Sequence, residues 1–231
     1  MLSSSRICVS IARKNTAEAV AAAESVVGQA DVLEIRLDYL TDPIITPFME
    51  KLHIPLLFTN RPQWEGGQFN GAEEERLEPL LQAVSQNAAY VDLELLAPAD
   101  SQQKMRSAMQ NSESKLLLSW HNFSDTPSRE ELVGRLAMMQ DNGADIGKII
   151  TTAHDQNDVL RVLQLQETAA QLNFPLISFC MGKVGMISRV ATCELGGYMT
   201  YCATSVDDAT APGQLSISTL REIQLLLGVD L

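Results

Sequence analysis

The sequence predicts an α/β protein of the (β/α)8 TIM-barrel class, in which eight parallel strands are each followed by a helix. Short apolar runs recur along the 231 residues, and longer amphipathic stretches separate them. A spacing of about 25–30 residues between successive runs matches the strand-plus-helix unit of such a barrel. An open doubly wound sheet is the alternative, but it normally has a glycine-rich turn after an early strand, and residues 12–16 contain no glycine.

The individual elements follow from this alternation. The predicted strands are residues 7–11, 32–37, 55–59, 90–95, 116–120, 146–151, 176–180 and 198–203. The predicted helices include residues 16–27, 73–85, 128–141 and 156–172, with a last helix near 216–227. Ser128 and Glu131 have the spacing of a capping box, and Asp155 is a second helix-start signal. No linker or low-complexity tract interrupts the pattern, so we expect residues 1–231 to form one catalytic domain.

Charge and cysteine content narrow the choice of partners and compartment. The net charge of −12 argues against nucleic acid and anionic membranes as partners, because both would repel the chain. No apolar run approaches the roughly 20 residues that a membrane span requires. The four cysteines are scattered without a C-x-x-C pair, which is typical of the reducing cytoplasm. We therefore expect a soluble cytoplasmic protein.

Ionisable side chains occur within or just after strands that should be apolar, since parallel barrel strands are covered on both faces. These residues are Glu34, Arg36, Arg61, Asp92, Glu94, His121 and Lys148. They lie at or near the C-terminal halves of their strands, the end that holds the active site in this fold. A structural ion pair could explain any one of them. Burying the whole set is costly, which favours a functional site.

Lys148 is distinguished from the other lysines because it is embedded in an apolar strand. Partial desolvation favours its neutral amine, which can attack a ketone to form an imine and acidify the neighbouring carbon. His121 ends a strand and can supply the general base that such proton abstraction needs. The chain has three histidines and neither H-x-H nor H-E-x-x-H spacing, so we expect no metal centre. We also expect no organic cofactor.

Seven short motifs occur in order along the chain. They are E-I-R-L-D at 34–38, T-N-R at 59–61 followed by E-G-G at 65–67, D-L-E-L at 92–95, S-W-H-N-F at 119–123, D-I-G-K-I at 145–149, M-G-K-V-G-M-I-S-R at 181–189 and A-P-G-Q at 211–214. Each is weak alone, whereas seven in order at predicted strand ends form a specific signature. Together they resemble the type I 3-dehydroquinate dehydratases, and the resemblance extends over nearly the whole chain.

The resemblance implies a cofactor-independent lyase that acts on the small molecule 3-dehydroquinate, as the third enzyme of the shikimate route. It implies that Lys148 forms a Schiff base with the ketone. His121 would remove the adjacent proton and deliver one to the departing hydroxyl, giving 3-dehydroshikimate, and Glu65 would orient His121. The resemblance further implies a homodimer.

The same resemblance assigns the substrate-binding residues. Glu34, Arg36 and Arg61 would hold hydroxyls of the substrate. Arg189 would bind its carboxylate, and Gln214 would belong to a lid that closes over the ring. The whole implied set is Ser10, Glu34, Arg36, Arg61, Met181, Arg189, Thr210 and Gln214. A local cluster of arginines would then bind an anion despite the negative charge of the chain.

Three departures from the family pattern bear on the lid and the barrel floor. Thr210 replaces a serine that is frequent in the family, but it keeps the hydroxyl, so we expect binding to survive. The stretch 203–210 is longer than usual and carries Asp207 and Asp208, so we expect the geometry of the lid to be affected. Many relatives begin with a hairpin that plugs the barrel floor, and the first predicted strand already starts at Ile7, so we expect this plug to be reduced.

Two other functions are compatible with parts of this pattern. A class I aldolase-like barrel acting on a sugar phosphate would also use Lys148. It would need a phosphate site after the seventh and eighth strands, for which a loop at M-G-K-V-G, 181–185, is a partial candidate. A barrel retained only as a binding module would instead show a degraded catalytic set, whereas Lys148, His121 and Glu65 are all present.

Overall fold

The computed structural model describes residues 5–228, which form a single barrel of eight parallel strands surrounded by helices. The strands are β1 Arg6–Ile11, β2 Val32–Arg36, β3 Leu56–Thr59, β4 Tyr90–Glu94, β5 Lys115–His121, β6 Ile146–Thr152, β7 Leu176–Met181 and β8 Met199–Ala203. The predicted fold class is confirmed. The expected reduction of an N-terminal plug concerns residues 1–4, which lie outside the described residues.

The barrel is nearly closed, with one weak seam. β1 pairs with β2 on one side and with β8 on the other, and the ladder continues in order from β2 to β7. Within residues 5–228, no strand ladder joins β7 to β8. The backbone N–H of Tyr198 donates to the carbonyl of Leu176 at 2.8 Å across this gap. The seam is therefore held mainly by side chains and by the surrounding helices.

The helices cover the outside of the sheet. They are α1 Thr16–Glu24, α2 Thr46–Lys51, α3 Glu73–Ser85, α4 Ala99–Met109, α5 Arg129–Asp141, α6 Gln156–Leu163, α7 Leu165–Gln171, α8 Gly182–Glu194 and α9 Ile217–Leu226. The predicted helix over 156–172 is divided at Gln164. The N–H of Gln164 donates to Leu160, four residues back, but the N–H of Glu167 donates to Gln164, three residues back. This change of hydrogen-bond spacing ends one helix and begins the next.

The expectation of a loop at residues 181–185 is wrong. The chain enters α8 at Gly182, directly after β7, and Lys183 is an exposed residue of the first helical turn. Gly185 permits this sharp entry, because a Cβ at this position would lie 2.7 Å from the backbone carbonyl carbon of Cys180. Gly185 therefore allows close packing of helix on strand, and this segment is not a loop.

Apolar and polar side chains occupy different ends of the barrel interior. Val32, Leu57, Leu117, Ile146 and Met199 fill the part nearer the N-terminal ends of the strands. A larger apolar layer lies between the sheet and the helices. The polar inward-facing residues are concentrated towards the C-terminal ends, where they meet at one mouth. Among residues 5–228, no helix is both long enough and apolar enough to cross a membrane.

We expect Ser128→Ala to lower the free energy of unfolding by about 1 kcal/mol. The predicted capping box is present at the start of α5, where the N–H of Glu131 donates to Ser128 Oγ and the Ser128 N–H donates to Glu131. Urea unfolding measures the change. Ser107→Ala, at an exposed position inside α4, is the matched control and should be neutral or slightly stabilising. Equal effects of the two substitutions would contradict a capping role.

Candidate active site

One cavity opens at the C-terminal mouth of the barrel and brings together ten of the eleven predicted site residues. These ten are Glu34, Arg36, Arg61, Glu65, His121, Lys148, Met181, Arg189, Thr210 and Gln214. The eleventh, Ser10, is buried on β1 and its hydroxyl bonds to the carboxylate of Glu34. Ser10 therefore contacts a residue of the cavity but does not itself line the cavity.

Lys148 projects inward from β6 and is almost completely buried. Its Nζ lies 3.3 Å from Asp92 Oδ2 and 4.0 Å from Glu34 Oε1. The same nitrogen lies 4.2 Å from the centroid of the Tyr201 ring. Two carboxylates and one aromatic face thus surround the amine, and they hold it at the bottom of the cavity.

His121 forms a close pair with Glu65. Its Nδ1 lies 2.8 Å from Glu65 Oε2, and no described residue makes a hydrogen bond to its Nε2. Gly66, with φ of 76°, ends the short 3-10 helix Gln63–Glu65 that carries the carboxylate. A side chain at Gly66 would collide with the ring of Phe123, which stacks on His121 with ring centroids 6.1 Å apart. The glycine thus permits an aromatic support for the histidine.

Glu34 and Arg36 come from adjacent inward positions of β2. Glu34 accepts hydrogen bonds from Ser10 and from Thr59 Oγ1, the latter at 2.9 Å. Arg36 forms a bidentate pair with Asp38 at 2.8 and 2.7 Å. Its Nη1 makes no hydrogen bond to any described residue and is available to a ligand oxygen.

Arg61 is the centre of a buried ion-pair network. One terminal nitrogen lies 2.7 Å from Glu94 and 2.6 Å from the hydroxyl of Ser119, and the other lies 2.6 Å from Asp92. Glu65 lies farther away, at 3.6 Å. Asp92 also contacts Lys148, so Arg61 connects the lysine and the histidine pair through shared carboxylates.

Arg189 is the buried cation of the cavity that lacks an acidic partner. Within residues 5–228, no carboxylate oxygen lies within 4.0 Å of its guanidinium, and its Nε has no hydrogen-bond partner. It donates to the carbonyl of Pro212 at 3.3 Å and lies over the ring of Phe179, 4.5 Å from the centroid. Burial lowers the pKa of Arg189 to about 10, which still leaves it charged at neutral pH. This position is ready to accept an anion.

The segment after β8 folds over the cavity and is held in place by its own polar contacts. The backbone N–H of Thr210 donates to Gln214 Oε1 at 2.7 Å. Asp208 accepts from Ser205 at 2.8 Å and forms an ion pair with Arg13, after β1, at 2.9 Å. Asp208, one of the two aspartates that make this stretch unusual, therefore anchors it to the barrel rim.

The chain is similar to known proteins over almost its whole length. A model of the type I 3-dehydroquinase family matches residues 7–230. A 3-dehydroquinate dehydratase of Desulfotalea psychrophila is 50% identical over 220 residues, which covers 95% of this chain and 97% of the relative.

Solved structures give the same result. That of a 3-dehydroquinate dehydratase from Geobacillus kaustophilus superimposes with a TM-score of 0.89 at 28% identity, covering 97% of this chain and 91% of that chain. A type I enzyme from Clostridium difficile, solved with covalently modified comenic acid, gives a TM-score of 0.88 at 28% identity, covering 97% and 92% of the two chains.

The chain belongs to the type I 3-dehydroquinases. It is therefore an enzyme of the hydro-lyase class. The cavity at the C-terminal mouth of the barrel is the candidate active site of this hydro-lyase, because it collects the residues of the family motifs in one place.

Burial shifts the pKa values of His121 and Glu65 in opposite directions. It lowers the pKa of His121 well below the usual range, and the cationic Arg61, Lys148 and Arg36 lower it further. It raises the pKa of Glu65 to about 8, although Arg61 opposes the shift. The site therefore favours an uncharged histidine. When Glu65 is ionised, it accepts the proton on Nδ1 and leaves Nε2 as a base. When Glu65 is protonated, it donates to Nδ1, and the proton of the uncharged histidine then lies on Nε2.

Sequence reasoning missed several residues that complete the cavity and its support. Phe179, Tyr201 and Ile150 line the cavity, and apolar residues on predicted strands are indistinguishable from ordinary core residues, so no sequence signal marked them. Phe123 also lines the cavity; it belongs to the motif S-W-H-N-F, but that motif assigned it no role. Arg76 was also missed, because it lies on α3, yet it is fully buried and donates to Glu94 at 2.5 Å.

We expect Glu65→Gln to change how stability depends on pH. Folding favours the protonated form of Glu65, so its contribution is complete below the ordinary glutamate pKa of about 4.3 and is lost as pH rises through about 8. The free energy of unfolding of the wild type should therefore fall relative to the variant between about pH 5 and pH 8. Urea unfolding at several pH values measures both curves.

The exposed substitution Glu50→Gln on α2 controls for the loss of one negative charge. A wild-type curve that runs parallel to the Glu65→Gln curve throughout this pH range would contradict the buried, proton-binding state of Glu65.

Proposed function

We propose that this hydro-lyase removes water from 3-dehydroquinate through a Schiff base on Lys148 and forms 3-dehydroshikimate. This is the third step of the shikimate route to chorismate and the aromatic amino acids. The observation that carries the proposal is the position of one buried lysine in a cavity that also holds the His121–Glu65 pair. The same cavity holds Arg189, which pairs with no carboxylate of the described residues.

The first chemical stage is formation of the imine. The neutral amine of Lys148 attacks the ketone carbon, and the resulting carbinolamine takes up one proton as it loses one water, which gives an iminium ion. The ammonium group must give up one proton before the attack, and His121, which lines the same cavity, can accept that proton and return it to the departing water. The iminium withdraws electrons and acidifies the neighbouring carbon.

The second stage is the elimination. His121 Nε2 takes the proton from the carbon next to the iminium, and the C–H electron pair forms an enamine with the iminium. The enamine electrons then return to the carbon chain and form a C=C bond as the hydroxyl leaves from the following carbon. His121 then gives the same proton to the departing hydroxyl, so that one water is lost on the face where the proton was removed. Hydrolysis of the imine consumes one water and restores the lysine.

The remaining cavity residues would hold the substrate. Arg189 would bind the carboxylate, for which a guanidinium offers two parallel donors. Glu34 and Arg36 would hold hydroxyls of the substrate. Arg61 already bonds to Glu94 and Asp92, so its hydrogen bond to a substrate hydroxyl would be an additional contact. Met181, Thr210 and Gln214 would close the site, with Ser10 holding Glu34 from below. A closed site protects the iminium from water.

The relatives support this substrate and mechanism. The protein from Desulfotalea psychrophila is named 3-dehydroquinate dehydratase. The type I enzyme from Clostridium difficile was solved with covalently modified comenic acid. An aldolase acting on a sugar phosphate is less well supported, because the Gly182 N–H, which starts α8 and would belong to a phosphate site, already donates to the Pro212 carbonyl at 3.2 Å.

We also propose that the barrel accounts for residues 1–231 as one domain, and that the enzyme is a cytoplasmic homodimer. Four free cysteines among the described residues agree with a reducing compartment. An exposed apolar surface on α6 and α8, which includes Leu160 and Ile187, could be covered in a dimer. Sedimentation velocity would test the oligomeric state, and a monomer at micromolar concentration would exclude the dimer.

We expect borohydride, added during turnover of 3-dehydroquinate, to inactivate the enzyme and to leave a reduced adduct on Lys148. Peptide mass spectrometry locates the adduct, and the ultraviolet absorbance of the conjugated enone measures turnover. Lys148→Ala should abolish both signals. His121→Ala should lower kcat by about 100- to 10,000-fold, because it removes the general base.

Two exposed residues provide matched controls for these variants. Lys183→Ala on α8 and His154→Ala after β6 should retain normal turnover. Full turnover without an adduct on Lys148 would exclude the Schiff base. Formation of an adduct with a sugar phosphate but not with 3-dehydroquinate would favour the aldolase.

We expect Arg189→Met to raise KM by about 10- to 100-fold, since a hydrogen bond to a charged group contributes about 1.5–3 kcal/mol. Steady-state kinetics with 3-dehydroquinate measures the effect. Arg189→Lys should recover part of the loss, because it keeps the charge but not the bidentate geometry. Arg129→Met, at an exposed position of α5, is the control. An unchanged KM in Arg189→Met would show that the carboxylate binds elsewhere.

A further inference from the structure

Arg76 is a buried cation that lies outside the cavity and has no part in the proposed chemistry. It occupies the inner face of α3, where Leu80 and Val84 follow it at helical spacing and belong to the apolar core. The side chain of Arg76 is only 1% exposed. An apolar residue would fill such a position at a lower cost of desolvation. The arginine therefore needs an explanation beyond the packing of a helix on a sheet.

The guanidinium of Arg76 connects the outer helices with the interior of the barrel. Its Nε and Nη2 atoms donate to the two carboxylate oxygens of Glu73, each at 2.7 Å. Its Nη1 donates to Glu94 Oε2 at 2.5 Å and to the carbonyl of Asn60 at 3.2 Å. Glu73 also accepts from Ser101 of α4 at 2.7 Å. Arg76 is thus held in one orientation by groups on both of its sides.

Glu94 offers one carboxylate oxygen to each of two arginines. Its Oε2 accepts from Arg76, and its Oε1 accepts from Arg61 at 2.7 Å. The side chain of Glu94 is fully buried. Burial raises the pKa of Glu94, and the attraction of Arg61 and Arg76 opposes that shift. Loss of Arg76 would therefore favour protonation of Glu94 and would weaken its contact with Arg61.

The contact with Glu94 keeps Arg61 from binding Glu65. Nη1 of Arg61 has two hydrogens, and Glu94 and the hydroxyl of Ser119 accept them. Glu65 Oε2 lies 3.6 Å from the same nitrogen, which leaves this oxygen to its 2.8 Å contact with His121 Nδ1. If Glu94 released Arg61, one of these hydrogens would turn to Glu65. It would then compete with His121 for the carboxylate.

We propose that Arg76 is a positioning residue of the active site, and that it acts through Glu94 on Arg61. Arg61 is then held away from Glu65, which remains free to orient His121. Arg76 itself does not line the cavity, so its effect on turnover is indirect. This inference rests on the proposed function, because it requires His121 to be the base.

The first test is Arg76→Met, which removes the cation and keeps an unbranched side chain. It should lower kcat for 3-dehydroquinate by about 10- to 100-fold, since a displacement of about 1 Å at a catalytic group can cost about 100-fold. Arg76→Lys keeps the charge but not the planar set of donors, so it should lose only about 2- to 10-fold. Arg76→Lys also decides the question if Arg76→Met fails to fold. A wild-type kcat in Arg76→Lys would overturn the proposal.

A double-mutant cycle tests the route through Glu94. Glu94→Gln removes the charge that holds Arg61 and should itself lower kcat. In that background Arg76→Met should change kcat by less than about 2-fold, because the group through which Arg76 acts is already lost. The double variant removes both buried charges, which favours its folding. A further loss of about 10-fold or more in that background would overturn the role of Glu94.

Leu80→Ala is the control for a loss of stability. Leu80 is fully buried one turn farther along the same face of α3, and its truncation should lower the Tm. The kcat of the folded Leu80→Ala enzyme should nevertheless equal that of the wild type. A fall of kcat equal to that of Arg76→Met would overturn the positioning role, because the effect would then follow stability alone. Absence of turnover in the wild-type enzyme would instead refute the proposed function.

Discussion

The buried charge at the C-terminal mouth of the barrel is the constraint on which the rest of this structure depends. Lys148, Arg61 and Arg76 stand with Glu34, Asp92 and Glu94 in space that parallel strands normally fill with apolar groups. Isolated charges there would be prohibitively costly, so nearly every cation has a carboxylate within 2.5 to 3.3 Å. Arg61 makes this possible, because its fork contacts Asp92 and Glu94 together.

Not every buried ionisable group is paired with an opposite charge, and the unpaired groups lie in the candidate active site. Arg189 is buried with no carboxylate partner in the described part of the chain, so it retains its capacity to bind an anion. Burial and neighbouring charges shift the pKa of His121 downward and the pKa of Glu65 upward, so His121 stays uncharged and Glu65 holds a proton more tightly than an ordinary glutamate does. Arg189 and the His121–Glu65 pair are therefore the places where a ligand or a proton can complete the charge balance.

Local sequence patterns predicted most of the framework. Alternation of apolar runs and amphipathic stretches predicted all eight strands to within a few residues, and Ser128 and Asp155 cap helices as expected. The errors have local causes. The glycines at 182 and 185 were interpreted as a loop, whereas Gly185 allows α8 to approach the backbone of Cys180. The division at Gln164 follows from a change of hydrogen-bond spacing, for which the side chains give no signal.

The sequence by itself determined the class of fold and the set of ionisable residues at the strand ends, because strand periodicity and a lysine in an apolar run are properties of a few neighbouring residues. Only the tertiary structure decided which of these residues are paired. Asp92 contacts both Arg61 and Lys148, Glu94 is shared with Arg76 from a helix, and Ser10 supports Glu34 instead of lining the cavity. These contacts join residues far apart in the chain, and their distances depend on the tilt and register of the closed sheet, which no short segment specifies.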